Sequence, residues 1–231
     1  MQLSAILLAR VLLFVETFDL NPRGTAFFPA IVEGLVEKCG FMKFPQKIED
    51  FDENKGVEFL NGRWGNVTIE ALKVFNNGIQ LDTRVSTGES ERIIQEAINW
   101  AVSTYGITFS PKMVSRTGYV SDLTFHTDVP ILGSAYPPIQ HLIARCSELS
   151  KSIRNDSTPW QPTVLTIHSD AWPRKPLHAA FTIQRRAETG FSENKYYSEA
   201  PFPTDTHIQL LELFEKDVQA AIGHGQVGST R

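Results

Sequence analysis

The tripeptide His-x-Asp occurs twice in this chain, at residues 126–128 and 168–170. Each copy ends a predicted strand, and residues i and i+2 of a strand point to the same side of a sheet. Each copy would therefore present an imidazole beside a carboxylate. If the two strands were neighbours, four side chains could converge on a phosphate or on a divalent ion such as Zn, Mn or Fe: His126, Asp128, His168 and Asp170. This pattern supports an alternative hypothesis, a metal-dependent or histidine-based hydrolase of the phosphoesterase kind.

A second interpretation of these tripeptides competes with the first. Two-histidine phosphoesterases carry paired histidines on strands, but their pattern is His-x-Ser/Thr. The aspartates at positions 128 and 170 remove the hydroxyl that would hold the phosphate, so the pattern does not assign the chain to that family. Strand ends are commonly polar, and Asp128, which precedes a Val-Pro pair, fits a turn in which it caps the backbone. We favour the turn, because matches of three residues arise readily by chance.

Other motifs that carry catalysis are missing from the sequence. It has no glycine-rich phosphate loop, no nucleophile elbow, no His-Glu-x-x-His and no kinase signature set. Its two cysteines, Cys39 and Cys146, fall in the apolar rows of predicted helices, where an inert buried thiol is more common than a nucleophile. The sequence therefore leans away from an enzyme, and it implies neither a cofactor nor a metal.

Two tryptophans stand beside prolines outside the predicted strands and helices, and basic residues cluster near the second one. Trp and Arg are enriched at the energetic centres of protein interfaces, and prolines stiffen a loop so that less entropy is lost on binding. The competing interpretation is that each tryptophan covers the core beneath its own loop. We predict a binding surface that includes six residues: Trp160, Trp172, Arg174, Lys175, Arg185 and Arg186.

Composition limits the class of protein. The chain has 231 residues, of which 42% are hydrophobic and 21% charged, and this is typical of a globular fold. A net charge of −4 argues against a dedicated nucleic-acid binder. The apolar first segment lacks a basic start and is interrupted by Arg10 and Glu16, which favours a buried strand over a signal peptide or a membrane span. We expect a cytoplasmic protein with reduced thiols.

Periodicity and turn signals predict an α+β fold with the order β-α-β-β-β-α-β-α-β-β-α. The pairs Asn61-Gly62 and Asn77-Gly78 are hairpin signals, and they predict a three-stranded antiparallel meander over residues 57–85. A capping box over residues 86–89 predicts the start of a helix. Another helix, opening at Ser134, is expected to bury one apolar row: Ile139, Leu142, Ile143, Cys146, Leu149 and Ile153.

These elements predict helices packed on a mainly antiparallel sheet, because the hairpins require antiparallel pairing. Residues 1–222 are expected to form a single domain, with a division into two lobes near 155–162 as the alternative, and residues 223–231 are expected to form a flexible tail. The predicted function is a non-catalytic interaction or adaptor subunit of a larger cytosolic assembly. Its partner would be another protein and not a membrane. A nucleic-acid accessory that uses residues 145–195 is a third alternative, which the negative net charge disfavours, and the oligomeric state stays open.

Overall fold

The computed structural model describes residues 1–24, 26–133, 137–155, 157, 160–169 and 180–227. The helices of this described part are α1 (Thr17–Leu20), α2 (Phe28–Cys39), α3 (Thr87–Tyr105), α4 (Pro137–Arg154) and α5 (Thr204–Val227). The strands are β1 (Gln2–Phe14), β2 (Val57–Trp64), β3 (Val67–Phe75), β4 (Gly78–Thr83), β5 (Arg116–His126), β6 (Val164–Ile167), β7 (Phe181–Arg185) and β8 (Lys195–Ala200). The strands form an antiparallel sheet in the order β2-β3-β4-β1-β5-β8-β7-β6, so the predicted α+β class is confirmed.

The predicted meander is present, but its first turn is elsewhere. Strands β2, β3 and β4 pair antiparallel in succession, whereas Asn61 and Gly62 lie inside β2 and the chain reverses at Gly65 and Asn66. A Cβ at position 62 would stand 2.4 Å from the ring of Phe41. Gly62 therefore permits close packing against Phe41, and it does not form a hairpin turn.

Three further differences separate the structure from the sequence prediction. The second turn of the meander occupies Asn76 and Asn77, one residue earlier than predicted. Strand β8 was not predicted, although its buried residues Tyr196, Ser198 and Ala200 alternate with less buried ones, as they do in a strand. Helix α5 continues to Val227, so residues 223–227 are helical where a flexible tail was expected.

The chain groups into two compact units, and the first of them, called here the α2–α3 unit, comprises Ile6–Ser121 and Pro201–Asp205. Its core joins α2 and α3 to strands β1 to β4. Helix α3 begins where the capping box predicted, because the Ser86 side chain accepts a hydrogen bond from the backbone N–H of Glu89 at 3.2 Å. It ends at Gly106, which adopts a φ of 69° that suits glycine.

The second unit, called here the α4 unit, comprises Met1–Ala5, Asp122–Ala200 and Thr206–Arg231. Its core includes Phe125, Ile183, Tyr196 and Leu211, and the rings of Phe125 and Tyr196 stack with centroids 5.5 Å apart. The division between the units falls inside β5, and residues 155–162 belong to the α4 unit.

Across the residues that the structure describes, no helix combines the length and the apolar character needed to cross a bilayer.

Candidate functional site

The two His-x-Asp tripeptides do not lie on neighbouring strands. His126 ends β5 and His168 follows β6, and strands β8 and β7 lie between those two. Three interstrand spacings of about 4.8 Å separate the strands laterally by about 14 Å. The sheet is antiparallel, and β5 and β6 run in opposite directions. The last residues of β5 and of β6 therefore lie at opposite ends of the strands. This geometry removes the condition on which the hydrolase hypothesis depended.

Backbone hydrogen bonds show which strand ends lie side by side. The N–H of Thr127, just past the end of β5, donates to the carbonyl of Asn194, just before β8. The N–H of Arg185, at the end of β7, donates to the carbonyl of Thr163, just before β6. The end of β5 is therefore level with the start of β6. Asp128 and His168 are exposed, and Asp170 lies outside the described residues. Within the described residues, no group of three His, Cys, Asp or Glu side chains could hold a metal ion.

A serine and a histidine are hydrogen-bonded to each other in the α4 unit, but the direction of the hydrogen bond is wrong for catalysis. Ser198 Oγ and His207 Nε2 are 2.8 Å apart, and both residues are fully buried. Ser198 Oγ also donates a hydrogen bond to the carbonyl of Thr182 at 2.7 Å. A hydroxyl has one proton, so His207 must donate to Ser198 and cannot act as its base. The pair holds α5 against the sheet.

The six residues of the predicted binding surface fall into different environments. Trp172, Arg174 and Lys175 lie outside the described residues, and Arg186 is exposed. Arg185 is only 7% exposed. Its guanidinium donates to the carbonyl of Phe191 at 3.0 Å and to Oε1 of Gln161 at 2.8 Å. Arg185 is therefore part of the interior of the α4 unit and is not a surface cation.

Trp160 lies at a surface groove of the α4 unit and is 45% exposed. Gln140, His141 and Ile143, in the first half of α4, line the same groove. A half-exposed tryptophan beside a helix is a typical anchor for a bound protein segment. Among the predicted binding residues that the structure describes, Trp160 has the geometry that best fits binding.

The apolar row predicted to be buried on α4 is instead largely exposed. Leu142 is 64% exposed and Ile153 is 76% exposed. Of the α4 side chains that the structure describes, only Ile143, Cys146, Ser147 and Ser150 are partly or fully buried. The helix thus rests on its own unit through a narrow stripe that contains two serines. Four apolar side chains beside this stripe are exposed: Ile139, Leu142, Leu149 and Ile153.

Together with the half-buried Cys146, these exposed side chains form a row spaced alternately by three and four residues. We call this row the α4 seam, and it consists of Ile139, Leu142, Cys146, Leu149 and Ile153. Such spacing averages 3.5 residues, which is the repeat that keeps one side of a helix against a partner helix. Single exposed leucines need no explanation, but a row in which four of five apolar side chains are exposed is typical of an interaction surface.

A second candidate site is an apolar pocket inside the α2–α3 unit, with a volume of about 520 Å³. One wall is the sheet, with Ile69 and Val74 of β3, and the other is formed by α2 and α3. Protein interiors rarely leave voids larger than a water molecule.

Polar groups of this pocket gather at one rim. Glu16, Thr17, Glu53 and Asn76 all line it, and backbone hydrogen bonds link them: Thr17 N–H bonds to the Asn76 carbonyl, and Asn76 N–H bonds to the Glu53 carbonyl. Phe18, also at the rim, is strongly exposed, so this side is the mouth. At the other end are Trp64 and Trp100, whose rings lie 4.8 and 5.5 Å from Nζ of Lys38.

The two cysteines occupy contrasting positions. Cys39 lines the pocket and is buried, and burial raises the pKa of its thiol to about 11, although the nearby Lys38 cation opposes the shift. Cys146 is half-buried on the α4 seam. Cys146 is therefore the more accessible of the two thiols.

No pattern in the sequence signals the pocket, since a void depends on how side-chain volumes fit together across elements. The α4 seam did have a signal, because its apolar residues are visible in the sequence at spacings of three and four. No protein-family model matches the chain, and a search of curated proteins found no significant match to it. The case for function therefore depends on the geometry of these sites.

Proposed function

We propose that this protein is a non-catalytic interaction subunit that binds an amphipathic α-helix of another protein along the α4 seam. The observation that carries this proposal is the row of four exposed apolar residues and the half-buried Cys146 at coiled-coil spacing. Helix α4 has 18 residues and is about 27 Å long, enough to present two heptads to a partner helix.

Trp160 supports the same surface. It lies at a groove shared with the first half of α4, so an occupant of the seam could also contact the indole. The exposed strand β6, at the end of the sheet order, adds Val164 and Ile167 to the apolar surface of this unit. Both cysteines are free thiols, which is compatible with the reducing cytosol that we propose as the location.

The test replaces seam residues by charge. Leu142→Glu and Ile153→Glu should each weaken the complex about thirtyfold, the effect of losing about 2 kcal/mol at the centre of an interface. Because both side chains are exposed in the chain itself, the melting temperature should change little. Ala144→Glu, exposed on the same helix but outside the seam, is the matched control and should bind normally.

A photo-crosslinking amino acid at position 142 identifies the occupant, with position 144 as the control. Mass spectrometry should find a cross-linked peptide with apolar residues three and four apart. If Leu142→Glu melts several degrees lower and the complex persists, the seam belongs to the core and the proposal fails. If the occupant were a second copy of this chain, the result would differ from that expected for another protein. Cys146 is at the centre of the seam, so an antiparallel self-dimer would form a Cys146–Cys146 cross-link.

A further inference from the structure

The apolar pocket of the α2–α3 unit is a site of a different kind from the α4 seam. Its lining is almost entirely aliphatic and aromatic, and its volume of about 520 Å³ is typical of pockets for small molecules. Water fills such a space poorly, because the walls offer few hydrogen-bond partners. An apolar ligand would make the van der Waals contacts that the lining side chains do not make with one another.

The shape of the pocket indicates an elongated ligand. Along β3 its wall extends from Ile69 to Val74, which at about 3.3 Å per residue is about 17 Å. The opposite wall consists of helices α2 and α3, contributing for example Leu35 and Ile94. A space between one sheet and one helical layer is long and thin. An aliphatic chain suits it better than a fused ring system.

The mouth determines what the polar end of that chain can be. The two charged side chains that line the pocket, Glu16 and Glu53, are both acidic and lie at the hydrogen-bonded rim with Thr17 and Asn76. A carboxylate or phosphate head would be placed beside two carboxylates, which repel it. A head that donates hydrogen bonds would gain charge-assisted bonds to the same oxygens.

We propose that this pocket binds a single-chain amphiphile with a non-anionic, hydrogen-bond-donating head group, of the long-chain amine or alcohol class. The aliphatic chain lies between β3 and the helices and reaches toward Trp64 and Trp100, and the head lies at Glu16 and Glu53. This site is in a different unit from the α4 seam, so either proposal can fail without the other.

Three ten-carbon probes that differ only in the head group test the proposal: decylamine, decan-1-ol and decanoate. Trp64 and Trp100 line the pocket, so quenching or enhancement of tryptophan fluorescence reports binding. Decylamine should bind at least tenfold more tightly than decanoate, with decanol between them. The double variant Glu16→Gln with Glu53→Gln should reduce that preference to less than threefold. Equal binding of amine and decanoate, or no binding of any probe, overturns the proposal.

A variant that fills the pocket separates specific binding from adsorption to the surface. Ala97 of α3 lines the pocket, so Ala97→Phe should weaken decylamine binding at least tenfold without lowering the melting temperature. Asn99→Phe, on the exposed side of the same helix, is the control and should bind normally. Ile31→Phe fills the pocket from α2 and gives the same test if the Ala97 variant does not fold. Unchanged binding in a folded filling variant would overturn the proposal.

Discussion

Arg185 and Arg186 are adjacent in sequence and equivalent in charge, yet the fold gives them opposite roles. Arg185 sits at the end of β7, where alternation turns its side chain toward the interior and Arg186 toward solvent. Inside, the Arg185 guanidinium lies 4.7 Å from the ring centroid of Phe191 and 5.4 Å from that of Tyr196. These rings and the two hydrogen bonds take the place of the water that a charged group loses on burial.

A matched pair of substitutions separates the two arginines. Arg185→Met should lower the free energy of unfolding by about 2–4 kcal/mol, because it removes two charge-assisted hydrogen bonds and leaves their partly buried acceptors without that donor. Arg186→Met should change it by no more than about 0.5 kcal/mol, as expected for an exposed side chain. Urea denaturation of both variants measures the difference. Equal, small losses would place Arg185 on the surface.

At the scale of elements, the meander of β2, β3 and β4 could be predicted, but the positions of its turns could not. Strand propensity and alternation are local properties, and they defined residues 57–85 correctly. Whether an Asn-Gly pair forms a turn depends on a partner outside that segment. At position 62 that partner is Phe41, whose ring occupies the space that a side chain at this position would need.

Gly78 at the start of β4 gives a test of this kind of contact. A type I′ turn at Asn77-Gly78 would need a positive φ at Gly78, but among the described residues the positive-φ glycines are others, such as Gly56 and Gly65. A Cβ at position 78 would instead stand 2.7 Å from the carbonyl oxygen of Leu13 in β1. Gly78→Ala should destabilise the protein by about 1–3 kcal/mol, because backbone has to move.

Gly88 in the first turn of α3 is the control for Gly78. The nearest atom to an added Cβ there is Ser86 Oγ at 3.8 Å, an ordinary contact. Gly88→Ala should therefore raise the free energy of unfolding by up to about 1 kcal/mol, the difference in helix propensity. Thermal melts of the two variants should shift in opposite directions. A stabilised Gly78→Ala variant would contradict the described pairing of β1 and β4.

Helix α4 shows the limit of prediction for the candidate site. The length of the helix and its apolar pattern were predicted, but the prediction that the apolar row is buried was wrong. An apolar row at helical spacing looks the same whether it packs on its own sheet or on another chain, because sequence periodicity does not identify what covers a surface. The exposure of Leu142 and Ile153 supplies the missing information.

At the scale of the whole molecule, the two units should respond differently to a ligand of the pocket. Decylamine at a hundred times its dissociation constant should stabilise the α2–α3 unit by about 2.7 kcal/mol, which corresponds to about a hundredfold slower hydrogen exchange. Amides of β3 and α3 should show this slowing by mass spectrometry, and those of β7 and β8 should not. Equal slowing in both units would mean that the two units open together.

The division of the chain also has a consequence for its synthesis on the ribosome. Met1–Ala5 belong to the same unit as Thr206–Arg231, and the whole of the α2–α3 unit lies between them in the sequence. At about 5–20 residues per second, the about 200 residues from Ala5 to Thr206 take roughly 10–40 s to emerge. The α2–α3 unit can thus condense first, while the opening residues of β1 remain unpaired. During that interval the unpaired backbone N–H and C=O groups of this stretch are available to chaperones or to other nascent chains.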